Sequence, residues 1–242
     1  MEASTFDDFD WVMGVCLNHV VNGLLIFVPR MIKAYAGKTE FWVATTSSMG
    51  GFMAESGCGP YGASKAAVNN LMYSYAEALK PYGAGATVLC PANINSNIGN
   101  AEKFRPENLK HTGYHVSEGT MAHLRSIHAT GIDPVELAEI LKEGIENDRI
   151  LVLPDHTPDQ RAAQLRGLHE TIENYTKTGE ERAAIAAAKA AEQKKRMEEM
   201  IAKMKAEGKE IKAPAPMWAV PEGAEAFGHA RKDLDWIADA RK

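Results

Sequence analysis

Tyr61 and Lys65 stand four residues apart in Y-G-A-S-K, with Ser48 thirteen residues upstream. On a helix, positions i and i+4 share one face, so the phenol and the ammonium would be neighbours. A free tyrosine has a pKa of about 10, too high to act as a base near neutrality. A nearby cation favours the phenolate, so Lys65 is expected to pull that value down. A serine hydroxyl could then hold a substrate oxygen while Tyr61 exchanges its proton, which is general acid–base chemistry. The Tyr-x-x-x-Lys spacing alone arises by chance in many helices; its force here comes from what surrounds it.

Those side chains need elements to position them. Trp42 to Thr46 is short, apolar and β-branched, the pattern of a buried parallel strand. Ser47, Ser48 and a Gly-rich loop follow, and Pro60 opens a helix that carries Tyr61 and Lys65. That helix continues through Ala66, Val68, Leu71, Met72, Tyr75, Ala76 and Leu79 to Pro81. Gly83 and Gly85 then turn the chain into a second buried strand, Ala86 to Cys90, followed by the loop Pro91 to Ser96. Upstream, apolar residues recur at helical spacing over residues 5–33, with Thr5 as N-cap and Asp7 and Asp8 in the first turn.

Downstream, residues 99–130 are polar and mixed, with Phe104, Tyr114, Met121, Leu124 and Ile127 as scattered anchors. Asp133 and Pro134 start an amphipathic helix that runs to Ile145, and Ile150 to Leu153 reads as a last parallel strand. Thr157 and Pro158 open another helix. Residues 180–212 are rich in Ala, Glu, Lys and Arg, with a short apolar stripe of Met197, Met200, Ile201 and Met204. That reads as a solvated helix packing weakly on a partner. Ala213 to Pro216 is a stiff linker, and Phe227 to Ala240 a final helix.

Strand, Ser48, Gly-rich link and Y-G-A-S-K together resemble the short-chain dehydrogenase/reductase family, whose serine, tyrosine and lysine fall on Ser48, Tyr61 and Lys65. The resemblance implies that Tyr61 is the general acid/base and that Ser48 orients the substrate oxygen, with Met49 beside it at the substrate. It implies that Lys65 lowers the tyrosine pKa and holds the nicotinamide ribose of NAD or NADP, NAD slightly favoured. Pro91-Ala-Asn-Ile-Asn-Ser96 is similar to the family's P-G-x-x-x-T loop, which carries contacts with the nicotinamide carboxamide onto Ile94 and Ser96. Ala92 replaces the usual glycine there. Cys16 stands where the family has the asparagine of its proton relay, and His19 where it has a glycine. A thiol cannot reproduce the two donors and one acceptor of an amide. Cys16 is expected to be a small core residue and His19 a packed or surface histidine.

The family's glycine-rich dinucleotide fingerprint occurs nowhere in these 242 residues. The resemblance covers about residues 5–155 and implies the C-terminal part of a Rossmann-like, doubly wound α/β sheet with an appended helical tail. The expected division is a partial catalytic domain, 1–155, and a helical extension, 156–242. On this reading the chain is a fragment or a degenerate copy, its Trp42–Thr46 strand is an unpaired apolar edge, and it holds a dinucleotide only weakly. Within the family, T-F-D-D-F-D-W-V-M-G-V, F-V-P-R-M-I, G-G-F-M, P-A-N-I-N-S-N-I and S-I-H-A-T-G look like the bacterial Cα-dehydrogenases of lignin-derived β-aryl ethers. The implied activity is oxidation of an aryl or other hydrophobic secondary alcohol to a ketone, or the reverse. The rival is a non-catalytic homologue acting as an interaction subunit. Relatives pair the two long helices, so a homodimer or homotetramer is expected.

Composition narrows the field further. A net charge of −5 argues against a general nucleic-acid binder. Three widely spaced cysteines, Cys16, Cys58 and Cys90, form no disulfide framework or zinc spacing and suit a reducing cytoplasm. His111, His115, His123 and His128 have no supporting ligand pattern, so no metal site is expected and they read as surface or lid histidines. The acidic N-terminus carries no signal peptide pattern, and the apolar run Val20 to Val28 is too short to cross a bilayer.

Overall fold

The computed structural model describes residues 4–53, 58–113, 115–154 and 158–206. These fall into two compact units that divide between Leu165 and Arg166.

The first unit is an α/β layer structure around a three-stranded parallel sheet in the order β1 (Phe41–Thr46), β2 (Ala84–Leu89), β3 (Leu151–Val152). β1 pairs with β2 in a register that sets Phe41 opposite Ala84 and Thr46 opposite Leu89, and Val88 and Leu89 of β2 face Leu151 and Val152 of β3. β2 is buried at every position, as a central parallel strand must be. Among the described residues β1 has a neighbour on one side only, and its Ala44 and Thr46 are exposed.

β2 begins two residues earlier than the sequence predicts, at Ala84, because Gly83 adopts a left-handed φ of 66° and turns the chain straight into the strand. Gly85 lies inside the strand, not in the turn. A Cβ there would stand 2.3 Å from the Trp42 ring, which crosses from β1. The Trp42 indole N–H donates to Thr87 Oγ1 at 2.8 Å, and Thr87 in turn donates to the Arg149 carbonyl at 2.8 Å, so one tryptophan fixes β1 on β2.

The expected N-terminal helix is present but not regular. α1 (Phe6–Met13) starts with a reciprocal cap, in which Thr5 N donates to Asp8 Oδ2 at 2.8 Å and Asp8 N to Thr5 Oγ1 at 3.4 Å. A π-helical turn, Gly14–Asn18, then leads into α2 (His19–Tyr35). The inserted residue rotates the buried face by about 100°, a change of phase that apolar spacing alone does not reveal. Val20, Leu24 and Val28 of α2 join α3 (Gly59–Leu79) residues Val68, Met72, Ala76 and Leu79 and strand residues Phe41, Ala86 and Val88 in the main core. The continuous helix Phe6–Tyr35 is long and apolar enough, by length and composition, to cross a membrane, which the shorter run Val20 to Val28 does not indicate. Its buried stripe nonetheless packs into this core.

After β2, short 3₁₀ turns at Asn97–Phe104 and Glu107–Leu109 precede α4 (Glu118–His128) and α5 (Pro134–Glu146). Asp133 caps α5 by accepting from Val135 N at 2.8 Å. Of the expected anchors here, Met121 is buried, but Phe104 is 73% exposed; the buried residue is its neighbour Arg105. Tyr114 lies outside the described residues.

α6 (Pro158–Tyr175) follows, and in the second unit α7 (Gly179–Ala206) opens on a Thr178–Glu181 capping box, with Thr178 N donating to Glu181 Oε2 at 2.7 Å. Met197 and Met200 are exposed, which fits a solvated helix. The linker at 213–216 and the helix at 227–240 lie outside the described residues.

Candidate functional site

The carboxyl ends of β1 and β2 and the first turns of α3 converge on one spot, where ligands bind in open parallel sheets. β1 ends at Thr46, and the chain leaves it through Ser47 and Ser48. Ser47 N donates to the Leu89 carbonyl at 2.7 Å and Met49 N to the Pro91 carbonyl at 2.9 Å, so the loops after β1 and β2 are laced together. Ser48 Oγ accepts from Gly50 N at 3.0 Å, which leaves its own proton free to point elsewhere. Across the loop Ser48 has the Tyr61 phenol as a neighbour, close enough to lower that group's pKa.

Glycine is required where the loop crosses α3. A Cβ on Gly50 would meet the Tyr61 ring at 3.2 Å, and one on Gly51 would sit 2.9 Å from the Lys65 backbone carbon. Lys65 is buried one turn after Tyr61. Its Nζ donates to the Thr46 carbonyl at 3.2 Å and lies 5.8 Å from the Tyr61 ring centroid, while its own carbonyl accepts from Ser47 Oγ at 3.0 Å.

These positions reverse the pKa expected from spacing alone. Burial raises the Tyr61 phenol above its ordinary value, Ser48 opposes that, and a thiolate formed at Cys16, Cys58 or Cys90 would add to it. Burial also lowers Lys65. The ammonium donates to the end of β1, and desolvation is the largest influence on the tyrosine.

Cys16, expected in the core, is half-buried in the π turn, which packs on α3. π turns of this kind recur at functional sites. His19 is exposed. Met49 is half-buried against the main core.

In the loop after β2, Pro91 contributes its carbonyl to Met49, as above. Ile94 is bridged in parallel to Ile132, and its carbonyl oxygen lies 2.9 Å from His128 Nδ1, which must donate there. Ser96 caps the following turn by accepting from Ile98 N at 3.4 Å. Two residues that the sequence patterns did not single out also belong here. Asn69 stands one turn beyond Lys65 on α3, and Cys90 ends β2; the Cys90 thiol donates to Asn69 Oδ1 at 3.3 Å. The one signal for Asn69 was its i+4 spacing from Lys65.

Residues 1–106 match the family model described as short chain dehydrogenase. Over this stretch the chain is similar to the short-chain dehydrogenase/reductase family. It is 46% identical over 154 residues to a C alpha-dehydrogenase of Sphingobium sp. (strain NBRC 103272 / SYK-6), a match covering 64% of this chain and 50% of that protein. Among solved structures, a short-chain dehydrogenase/reductase from Burkholderia phymatum in complex with NAD is 28% identical with a TM-score of 0.60, over 70% of this chain and 60% of that one. The apo form of LigD from Sphingobium sp. strain SYK-6 is 34% identical with a TM-score of 0.50, over 72% of this chain and 56% of that one. The chain thus spans half the length of the C alpha-dehydrogenase it matches.

Proposed function

We propose that this chain serves an NAD- or NADP-dependent oxidoreductase of the short-chain dehydrogenase type, interconverting a hydrophobic or aryl secondary alcohol and its ketone. The observation that carries the reading is the placing of the Ser48 hydroxyl beside the Tyr61 phenol, with Lys65 one turn on, at the carboxyl end of the parallel sheet. The similarity to a C alpha-dehydrogenase supports the substrate class, and the NAD-bound Burkholderia structure supports a nicotinamide cofactor.

The residues present suit the nicotinamide end of such a cofactor. Lys65 uses one donor on Thr46 and retains others for a ribose. Ser96 only accepts in its cap, so its O–H is open to a carboxamide, and the Ile94 amide lies in the same loop. A bound dinucleotide would supply the hydride acceptor or donor. Tyr61, held neutral by burial, is set to give a proton to a ketone oxygen, and Ser48 to hold that oxygen in place. In the oxidising direction the phenol must lose its proton, and Lys65 is the cation close enough to stabilise the result.

We further assign residues 1–155 to the catalytic region and 156–242 to an extension, with self-association through α1, α2 and α3. A reducing, cytoplasmic setting suits three cysteines that form no disulfide with one another. The test is turnover of aryl secondary alcohols with NAD or NADP, followed by nicotinamide absorbance. Tyr61→Phe is expected to lower kcat by about 10²- to 10⁴-fold; an unchanged kcat removes Tyr61 from the mechanism.

A further inference from the structure

Near Ser48, Tyr61 and Lys65 a buried thiol and a buried amide form a hydrogen-bonded pair. Cys90 is 0% and Asn69 3% exposed, among Val68, Met72 and Val88. The Cys90 thiol donates to Asn69 Oδ1 at 3.3 Å, and Cys90 itself sits between Leu89 and Pro91, whose carbonyls accept from the Ser47 and Met49 amides. Ser47 also bonds the Lys65 carbonyl at 3.0 Å. The Asn69 amide lies against the loop, 2.7 Å from where a Cβ on Gly51 would stand, and its Nδ2 finds no partner among the described residues. Burying an amide with an unmade hydrogen bond is destabilising, and a leucine would fill the same space without that loss. Stability alone therefore does not account for the pair.

Geometry supplies another account. Ser48 takes its position from a loop held to Leu89 and Pro91, at and just after the end of β2, by the Ser47 and Met49 amides, and to α3 by the Ser47 hydroxyl on the Lys65 carbonyl. The pair adds a second tie to α3. It joins Asn69, on the helix face that also carries Lys65, to Cys90, which lies between the Leu89 and Pro91 carbonyls that hold those two amides. A shift of α3 is thereby passed to Ser48 and not taken up by the loop. We infer that Asn69 and Cys90 are positioning residues, whose hydrogen bond keeps Ser48 in register with Tyr61. This rests on the reading of Ser48, Tyr61 and Lys65 as the reacting set, so its test must not depend on turnover.

The readout is the titration of Tyr61 itself, taken as the tyrosinate absorbance increment that Tyr61→Phe removes. Ser48, Lys65, Cys16, Cys58 and Cys90 are the groups that act on this phenol. Ser48→Ala removes the hydroxyl that lowers the phenol and is expected to move its titration upward. Asn69→Leu and Cys90→Val, folded by circular dichroism, are expected to move it in the same direction. Neither should add to Ser48→Ala in a double mutant, because the same influence is lost each time. Cys90→Ser keeps a donor and an acceptor and is expected to titrate like the wild type. A folded Asn69→Leu or Cys90→Val with the wild-type Tyr61 titration overturns the proposal. So does loss of fold in both, since that marks the pair as core packing alone. Failure of the catalytic reading would show separately, as an undiminished kcat in Tyr61→Phe.

Discussion

Cys90, Tyr61 and Tyr73 are acids whose anions are disfavoured by burial; Cys90 and Tyr73 are pushed up to about 12 from ordinary values of 9.0 and 10.0. The unfolded chain loses these protons at the ordinary values while the native chain keeps them. From about pH 9 to pH 12 the unfolded state therefore binds fewer protons, and stability falls as pH rises. Lys65 acts in the opposite sense, because burial lowers its value and the native chain sheds that proton first. Three acids outweigh one base, so the thermal midpoint is expected to drop between pH 9 and pH 11; a midpoint that rises over this interval would show that Lys65 dominates. Gly51 gives a sharper local test. An added methyl would press on the Lys65 backbone at 2.9 Å, and backbone on both sides cannot easily yield. Gly51→Ala is expected to cost about 1–3 kcal/mol in denaturant unfolding, whereas Gly14→Ala, with nothing within 4 Å, is expected to be neutral or better.

The clearest coupling between elements is the clamp that holds the segment after β2 onto α1. Arg105 stacks 4.5 Å from the Trp11 ring, donates to Glu102 through Nε at 2.6 Å, reaches Asp8 at 3.6 Å and donates to the Thr112 carbonyl at 3.3 Å. His115 joins Glu102 at 2.8 Å. Removing one member of a buried charge cluster leaves the others uncompensated, at a cost of roughly 3–5 kcal/mol. Arg105→Met, which keeps the stem, is expected to lose that much and to speed hydrogen exchange over residues 97–113. Lysine should not rescue it, because an ammonium cannot serve Glu102, Asp8 and the ring together. Unchanged stability in Arg105→Met would show that the clamp holds nothing. None of this was legible in the sequence, where residues 99–130 read as polar with Phe104 as an anchor. Apolar character marks what enters a core by hydrophobic burial, and Arg105 enters by pairing with residues distant in sequence. The strands and helices were legible because each carries its period and its stop signals. The π turn was not, since it shifts a helical phase without changing composition. In the site, Ser48, Tyr61 and Lys65 were legible as a spaced motif, whereas Asn69 and Cys90 carry no motif and became visible only through their shared hydrogen bond.

At the scale of the whole molecule the open question is what meets the outer face of the first helix pair. Val15, Leu25, Ile26 and Phe27 are 58%, 63%, 47% and 60% exposed along the π turn and α2. Leu25, Ile26 and Phe27 follow one another and so look out over three sides of α2, and a monomer rarely leaves so much apolar surface in water. A second surface also invites association, the β1 edge, which has no neighbour on its outer side among the described residues. The two predict different assemblies. Helix-to-helix pairing buries equivalent faces, closes on itself and yields a defined dimer or tetramer. Edge pairing leaves a further edge open and yields heterogeneous aggregates. We expect the first, because the helix patch is larger and more apolar than the exposed Ala44 and Thr46 of the edge. Sedimentation at micromolar concentration should therefore give a single species heavier than the monomer. Leu25→Glu combined with Phe27→Glu should convert it to monomer without altering the far-ultraviolet circular dichroism, since both side chains point away from the core. Each is a surface change, and the buried stripe of Val20, Leu24 and Val28 is untouched. A clean monomer in the wild type, or an assembly indifferent to the paired glutamates, would reject pairing through this face.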